Sequence, residues 1–178
     1  MLKNLPSRQD QQVLFKGAAV ELGLLPLNNP TERIRYVNTA STAGGNGTTN
    51  ATSGANRAYA TLAEAATNEA ANLVSLNVWL HIYCEGTAID VSSPDFNGYT
   101  TSEACCILVE CSTANRHSGK WTASKYQLGC TFNGLYIRSS YTTVRGLQII
   151  TGYSYTIRII LRPEFPRGFY PQVYNYIL

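Results

Sequence analysis

Between Val78 and Glu85 the chain alternates without a break. Val78, Leu80, Ile82 and Cys84 fall on one side, and Trp79, His81, Tyr83 and Glu85 on the other. Successive side chains of an extended strand point to opposite faces, so this run is a strand with a dry face and a polar, aromatic face. Further strands are expected at Cys105 to Cys111, Tyr126 to Phe132, Leu135 to Arg138, Thr142 to Thr151 and Tyr155 to Arg162. Turn signals stand at Asn97-Gly98, Asn133-Gly134 and Ser139-Ser140.

Ahead of the first strand the period is helical. Within Thr61 to Val74, residues Leu62, Ala65, Ala66, Leu73 and Val74 recur at helical spacing with Glu64 and Glu69 between them, which predicts one short amphipathic helix. Gln11 to Leu24 reads as another short helix ended by Pro26, and Ser41 to Asn56, rich in Gly, Thr, Asn and Ser, as a long loop. The 178 residues make one domain of ordinary size. Only 14% are charged, which excludes a highly charged bundle, while 44% are hydrophobic, which argues against disorder. No run of 18 apolar residues exists to span a bilayer as a helix. Glu21 and Gly23 break the apolar run of Val20 to Leu27, so no export signal is expected. Five cysteines without a Cys-x-x-Cys, beside only two histidines, predict buried free thiols and no metal or other cofactor.

The spacing suggests repetition. Ile82 and Ile107 lie 25 residues apart, and Ile107 and Cys130 lie 23 apart. Periods of 20 to 50 residues with a short strand in each point to a solenoid. A β-sandwich gives a similar strand count, so periodicity alone leaves both open.

Three stretches narrow the choice. Arg35-Tyr36-Val37-Asn38-Thr39-Ala40-Ser41 is followed by Gly44-Gly45-Asn46-Gly47-Thr48 and by Ala58-Tyr59-Ala60-Thr61-Leu62. Together they resemble the N-terminal cap of right-handed parallel β-helix proteins of the pectate-lyase-like superfamily, with Asn46 where Asp is usual. Glu85-Gly86-Thr87-Ala88 resembles a turn of that family, and Tyr141 to Ile149 resembles one of its rungs. The resemblance covers roughly residues 33 to 150. It implies an all-β fold, a short right-handed parallel β-helix (solenoid) with an N-terminal capping helix. The chain then divides into a partly helical leader (1–32), the cap and first rungs (33–151), and a Tyr- and Pro-rich tail (152–178). Pro163, Pro166 and Pro171 are expected to prevent a regular rung in that tail. A shortened β-helix and a piece of a longer one both fit.

The catalytic inventory is thin. Lyases of the superfamily use clustered aspartates for calcium, and this chain has only Asp10, Asp90 and Asp95; Asp90, Asp95 and Glu103 are read as lying in one loop. No paired carboxylates of the hydrolase kind and no Gly-x-Ser-x-Gly elbow are visible. His81 reads as a surface strand residue and His117 as a loop residue. Flat aromatic and Arg surfaces suit sugar rings, which makes Trp79, His81, Tyr83, Tyr136 and Arg138 the candidate glycan-binding residues. From Ala58 to Glu110 there are seven acids and no Lys or Arg, and from Cys111 onward eight bases against Glu164 alone. Either these charges pair within the coil, or they drive head-to-tail association or hold an acidic ligand at the basic end. Self-association is assigned to Tyr155, Ile157, Arg158, Ile159, Leu161 and Arg162. The resulting expectation is a non-enzymatic structural or adhesive module of a phage virion or surface appendage. It would be homo-oligomeric, with a polysaccharide as candidate ligand and no nucleic-acid or membrane partner. The alternative is a carbohydrate-active lyase or hydrolase, or a piece of one.

Overall fold

The computed structural model describes residues 29–130, 134–151, 157–159 and 172–174. It opens with strand β1 (Thr31–Asn38) and two short helices, α1 (Leu62–Asn68) and α2 (Leu73–Leu76). Ten strands follow: β2 (Val78–Glu85), β3 (Ile89–Asp90), β4 (Asp95–Phe96), β5 (Ile107–Cys111), β6 (Gln127–Cys130), β7 (Leu135–Ile137), β8 (Thr142–Arg145), β9 (Gln148–Thr151), β10 (Ile157–Ile159) and β11 (Gln172–Tyr174). They form three sheets: β1-β2-β5-β8-β11, β3-β6-β9 and β4-β7-β10. Every pair is parallel. From β2 onward the chain visits the first, second and third sheet in turn, three times over, and returns to the first with β11.

Register stacks like on like. Ile82 lies against Val109, which lies against Val144, and Cys84 lies against Cys111. Leu128 pairs with Ile149 on the second sheet, and Phe96 with Ile137 on the third. These side chains, with Leu80, Ile107, Leu135, Tyr126 and Leu147, form one buried core. Each fully buried aliphatic or Phe side chain contributes about 1.5–3 kcal/mol.

Beside β2, strand β1 brings a different chemistry. In β1 the positions in register with Leu80 and Ile82 are Arg33 and Arg35. Both meet Glu69 just beyond α1, with Arg35 Nε at 2.5 Å and Arg33 at 3.7 Å, and the Tyr59 hydroxyl donates to the same carboxylate at 2.7 Å. The outer edge of β1 is occupied: Tyr36 N–H donates to the Gly47 carbonyl, Asn38 N–H to that of Tyr59, and Tyr59 N–H to that of Tyr36. A parallel sheet otherwise exposes such an edge to unwanted pairing. Thr61 caps α1 by accepting from Glu64 N–H, and Asn72 caps α2 by accepting from Ser75 N–H.

The all-β expectation holds at the level of parallel sheets with few helices, and several details are corrected. Val78–Glu85 is a strand over the expected residues. The single helix over Thr61 to Val74 is two helices, because Asn72 restarts the backbone as an N-cap. Thr142 to Thr151 is two strands on different sheets, with Gly146 at φ +73° turning the chain between them. Asp90 and Asp95 do not share a loop; they belong to β3 and β4. The spacing of Ile82, Ile107 and Cys130 does not mark equivalent positions, since Ile107 pairs with Leu80 and Thr142, and Cys130 belongs to the second sheet. Immediately after Pro171 the chain rejoins the first sheet as β11, so the prolines do not end its growth. The helix expected at Gln11 to Leu24 lies outside the described residues.

Candidate functional site

The outward face of the first sheet carries the densest cluster of ionisable and aromatic groups. Period two turns Trp79, His81, Tyr83 and Glu85 of β2 away from the core. In register with them stand Glu32, Ile34, Tyr36 and Asn38 of β1. Leu108 and Glu110 of β5 and Thr143 and Arg145 of β8 continue two of these rows.

His81 sits at the centre and is only 5% exposed. Its Nδ1 lies 2.7 Å from Glu32 Oε1 and its Nε2 lies 2.9 Å from Glu110 Oε1. Glu32 faces Trp79 and Glu110 faces Tyr83 in the register, so His81 reaches both carboxylates along opposite diagonals of the sheet. Glu110 Oε2 is gripped from two more directions, by Arg145 Nε at 2.7 Å and by Arg116 at 2.6 Å. Burial alone would raise the Glu110 carboxyl; the bonds from Arg145 and His81 outweigh it and hold the group below its ordinary value. The Arg116 side chain reaches Glu110 across Gly146, where an added Cβ would meet it at 2.8 Å. Next to this ladder, Glu85 accepts from Ser112 at 3.0 Å and from Asn115.

The aromatic rings stand up from the sheet and pack on one another. Trp79 and His81 centroids are 5.2 Å apart and His81 and Tyr83 are 4.0 Å apart. Tyr36 stacks on Tyr83 at 5.7 Å. His81 therefore has an aromatic neighbour on both sides and a carboxylate at each nitrogen. The arrangement fixes the ring; it leaves no free nitrogen for proton transfer.

The other two glycan candidates lie elsewhere. Tyr136 belongs to β7, on the third sheet. The Arg138 guanidinium lies 4.9 Å over the Tyr136 ring and donates to Asp95 at 2.9 Å. The five candidates are thus two separate groups on two sheets, Trp79–His81–Tyr83 and Tyr136–Arg138. His81 is not a free surface residue, since β1 and β5 both bond it. Of the residues assigned to self-association, Ile157, Arg158 and Ile159 form β10 and pair with Leu135, Tyr136 and Ile137 of the same chain. Tyr155, Leu161 and Arg162 lie outside the described residues.

A second buried carboxylate ties α1 to the second sheet. Asp90 Oδ2 accepts from Leu62 N–H at 2.7 Å and from the Tyr126 hydroxyl at 2.5 Å. Among the described residues, Asp90 Oδ1 and the Ser92 hydroxyl are buried without a hydrogen-bond partner. Desolvation raises the Asp90 carboxyl above its ordinary value, against the opposing hydrogen bonds. The same burial raises the thiols of Cys111 and Cys130 to about 12. Among the described residues no three His, Cys, Asp or Glu side chains are grouped to hold a metal ion.

The residues that sequence reasoning missed are Glu32, Glu110, Arg116 and Arg145. Period two within β5 and β8 turns Glu110 and Arg145 outward; their meeting at His81 needs the register, because Glu32 and Glu110 are 49 and 29 residues from it in the chain. Part of the charge segregated along the sequence pairs within the chain, Glu110 with Arg116 and Arg145, and Asp95 with Arg138. No helix among the described residues is long and apolar enough to cross a membrane. No family model matches the chain, and no curated protein or solved structure is significantly similar to it.

Proposed function

We propose that the three parallel sheets are the faces of a short right-handed parallel β-helix, and that the protein is a non-enzymatic structural module. It would self-assemble in a larger body such as a phage virion or a surface appendage. The fixed order in which the chain visits the three sheets supports the fold, since that is how a solenoid is wound.

One observation carries the functional reading: the outward carboxylates that acid–base chemistry would need are already engaged. Glu110 is bonded by His81, Arg116 and Arg145, Glu32 by His81, Glu85 by Ser112 and Asn115, and Asp95 by Arg138. Glycoside hydrolysis needs two carboxyl groups flanking one bond; on the first sheet the space between Glu32 and Glu110 is filled by the His81 ring, which both carboxylates bond, and Asp95 belongs to another sheet. A polysaccharide ligand stays a subsidiary part of the reading. Its support is the aromatic surface, but the ring faces of Trp79, His81 and Tyr83 turn toward each other, and Arg138 covers Tyr136. Both features favour rigidity over sugar stacking.

Sedimentation velocity on the full chain at about ten micromolar, a concentration at which micromolar contacts persist, is the test. Homo-oligomers are expected, together with no release of unsaturated or reducing ends from acidic and neutral polysaccharides. A monomer sinks the self-assembly, and turnover of any polysaccharide returns the lyase or hydrolase alternative.

A further inference from the structure

Among the described residues, the ion-paired tie from β1 to β5 across β2 runs through one ring, that of His81. A neutral imidazole has one N–H and one lone pair; the imidazolium alone donates at both nitrogens. With Glu32 2.7 Å from Nδ1 and Glu110 2.9 Å from Nε2, His81 satisfies both carboxylates only in that form. The groups facing the ring are Glu32 and Tyr36 from β1, Trp79 and Tyr83 from its own strand, Glu110 from β5, Arg145 from β8 and Arg116 from the segment after β5.

The two carboxylates are unequal. Glu110 is 7% exposed at its side chain and is pinned by two arginines, so it cannot turn away. Glu32 is 39% exposed, and His81 is its only hydrogen-bond or ion-pair partner among the described residues. A neutral ring that keeps its hydrogen on Nε2 serves Glu110 and leaves a lone pair against Glu32, which then turns to water.

We propose that His81 is a pH-sensitive latch that holds the N-terminal cap strand: charged, it ties β1 to β5 through Glu32 and Glu110, and neutral, it releases Glu32. Released, β1 is held by its backbone ladder to β2, the Tyr36–Tyr83 stack, its outer-edge bonds with Gly47 and Tyr59, and the Arg33 and Arg35 ion pairs with Glu69. The edge of β2 is then less securely covered. The latch needs only the pairing of β1, β2 and β5, so it stands or falls independently of the β-helix and of any assembly.

Amide hydrogen exchange of the full chain, corrected for intrinsic rates, tests it at roughly pH 5.5 and pH 8.5, which bracket the range where histidine ordinarily changes charge. Exchange in Thr31–Asn38 is expected to speed up relative to Gln127–Cys130 by about tenfold on raising the pH, the worth of one charge-assisted hydrogen bond. His81→Gln should remove the pH response. Glu32→Gln, at the exposed end of the ladder, should fold normally and show a much smaller response, since a neutral acceptor gains little from a charged ring. If wild-type β1 tracks β6 at both pH values, there is no latch. A full response in Glu32→Gln overturns the proposal even if His81→Gln does not fold.

Discussion

Asp90 and Glu110 are both almost wholly buried carboxylates, 2% and 6% exposed, and their surroundings push them in opposite directions. A carboxyl raised by burial costs the fold nothing in acid, where folded and unfolded states are both protonated. Its cost grows as the pH rises past the ordinary 3.8 of Asp90. Asp90→Asn keeps an acceptor for Leu62 N–H and Tyr126 and removes the buried charge. This variant should match wild type in thermal melts near pH 3 and exceed it at pH 7 by about 1 kcal/mol or more. Glu110 has the opposite sign. Its carboxyl is held below the ordinary 4.5, so the stability it adds is complete above that value and disappears as the pH falls through the lowered one. Glu110→Gln should be less stable than wild type at pH 7, with the gap closing in acid, as urea titrations at both pH values would record. The thiols give a third check at this scale. Cys84, Cys105, Cys111 and Cys130 are buried and Cys106 is partly exposed. A thiol reagent on the native protein should label Cys106 first, and all five only after denaturation, read by mass spectrometry.

At the scale of elements, the turn leaving β2 is held by close approach. Gly86 has φ +95°, and a Cβ there would lie 2.2 Å from Thr39 Oγ1 and 2.9 Å from Thr39 N. Gly54 has φ +87° with open space around it. Gly86→Ala should cost about 1–3 kcal/mol and clearly more than Gly54→Ala, in denaturant titrations of the two variants; equal costs would assign the whole effect to φ. The elements also mark what the sequence could reveal. β2 was legible to the residue because it is long and buried on one face, so its alternation is complete. The two-residue strands β3 and β4 carry no period at all; remote parallel partners define them, Gln127 and Leu128 for β3, Tyr136 and Ile137 for β4. The break between β8 and β9 hid within an unbroken run of strand-favouring residues, where only Gly146 hints at a corner. The aromatic half of the site, Trp79–His81–Tyr83, followed from periodicity, while Glu32, Glu110 and Arg145 meet it only through the register of four strands, β1, β2, β5 and β8.

At the scale of the molecule, β1, α1 and α2 pack on the strands that follow them. Leu62, Ala65, Ala66 and Leu73 bury themselves against the core, and Asp90 bonds the first turn of α1 from the second sheet. Deleting residues 1–75 should therefore bare Val78, Leu80 and Ile82 and give aggregated material in size-exclusion chromatography; a soluble fragment with unchanged circular dichroism would show the cap to be dispensable. The occupied outer edge of β1 has a consequence in time as well as in space. Because β1 is bonded on that side to its own loop, the first sheet is extended through β2, then β5, β8 and β11, each pairing with a strand that precedes it in the chain. The second and third sheets grow in the same order, β3 before β6 before β9 and β4 before β7 before β10. On a ribosome, which delivers the N-terminal portion first, every strand after the first of its sheet would emerge to find its template already made.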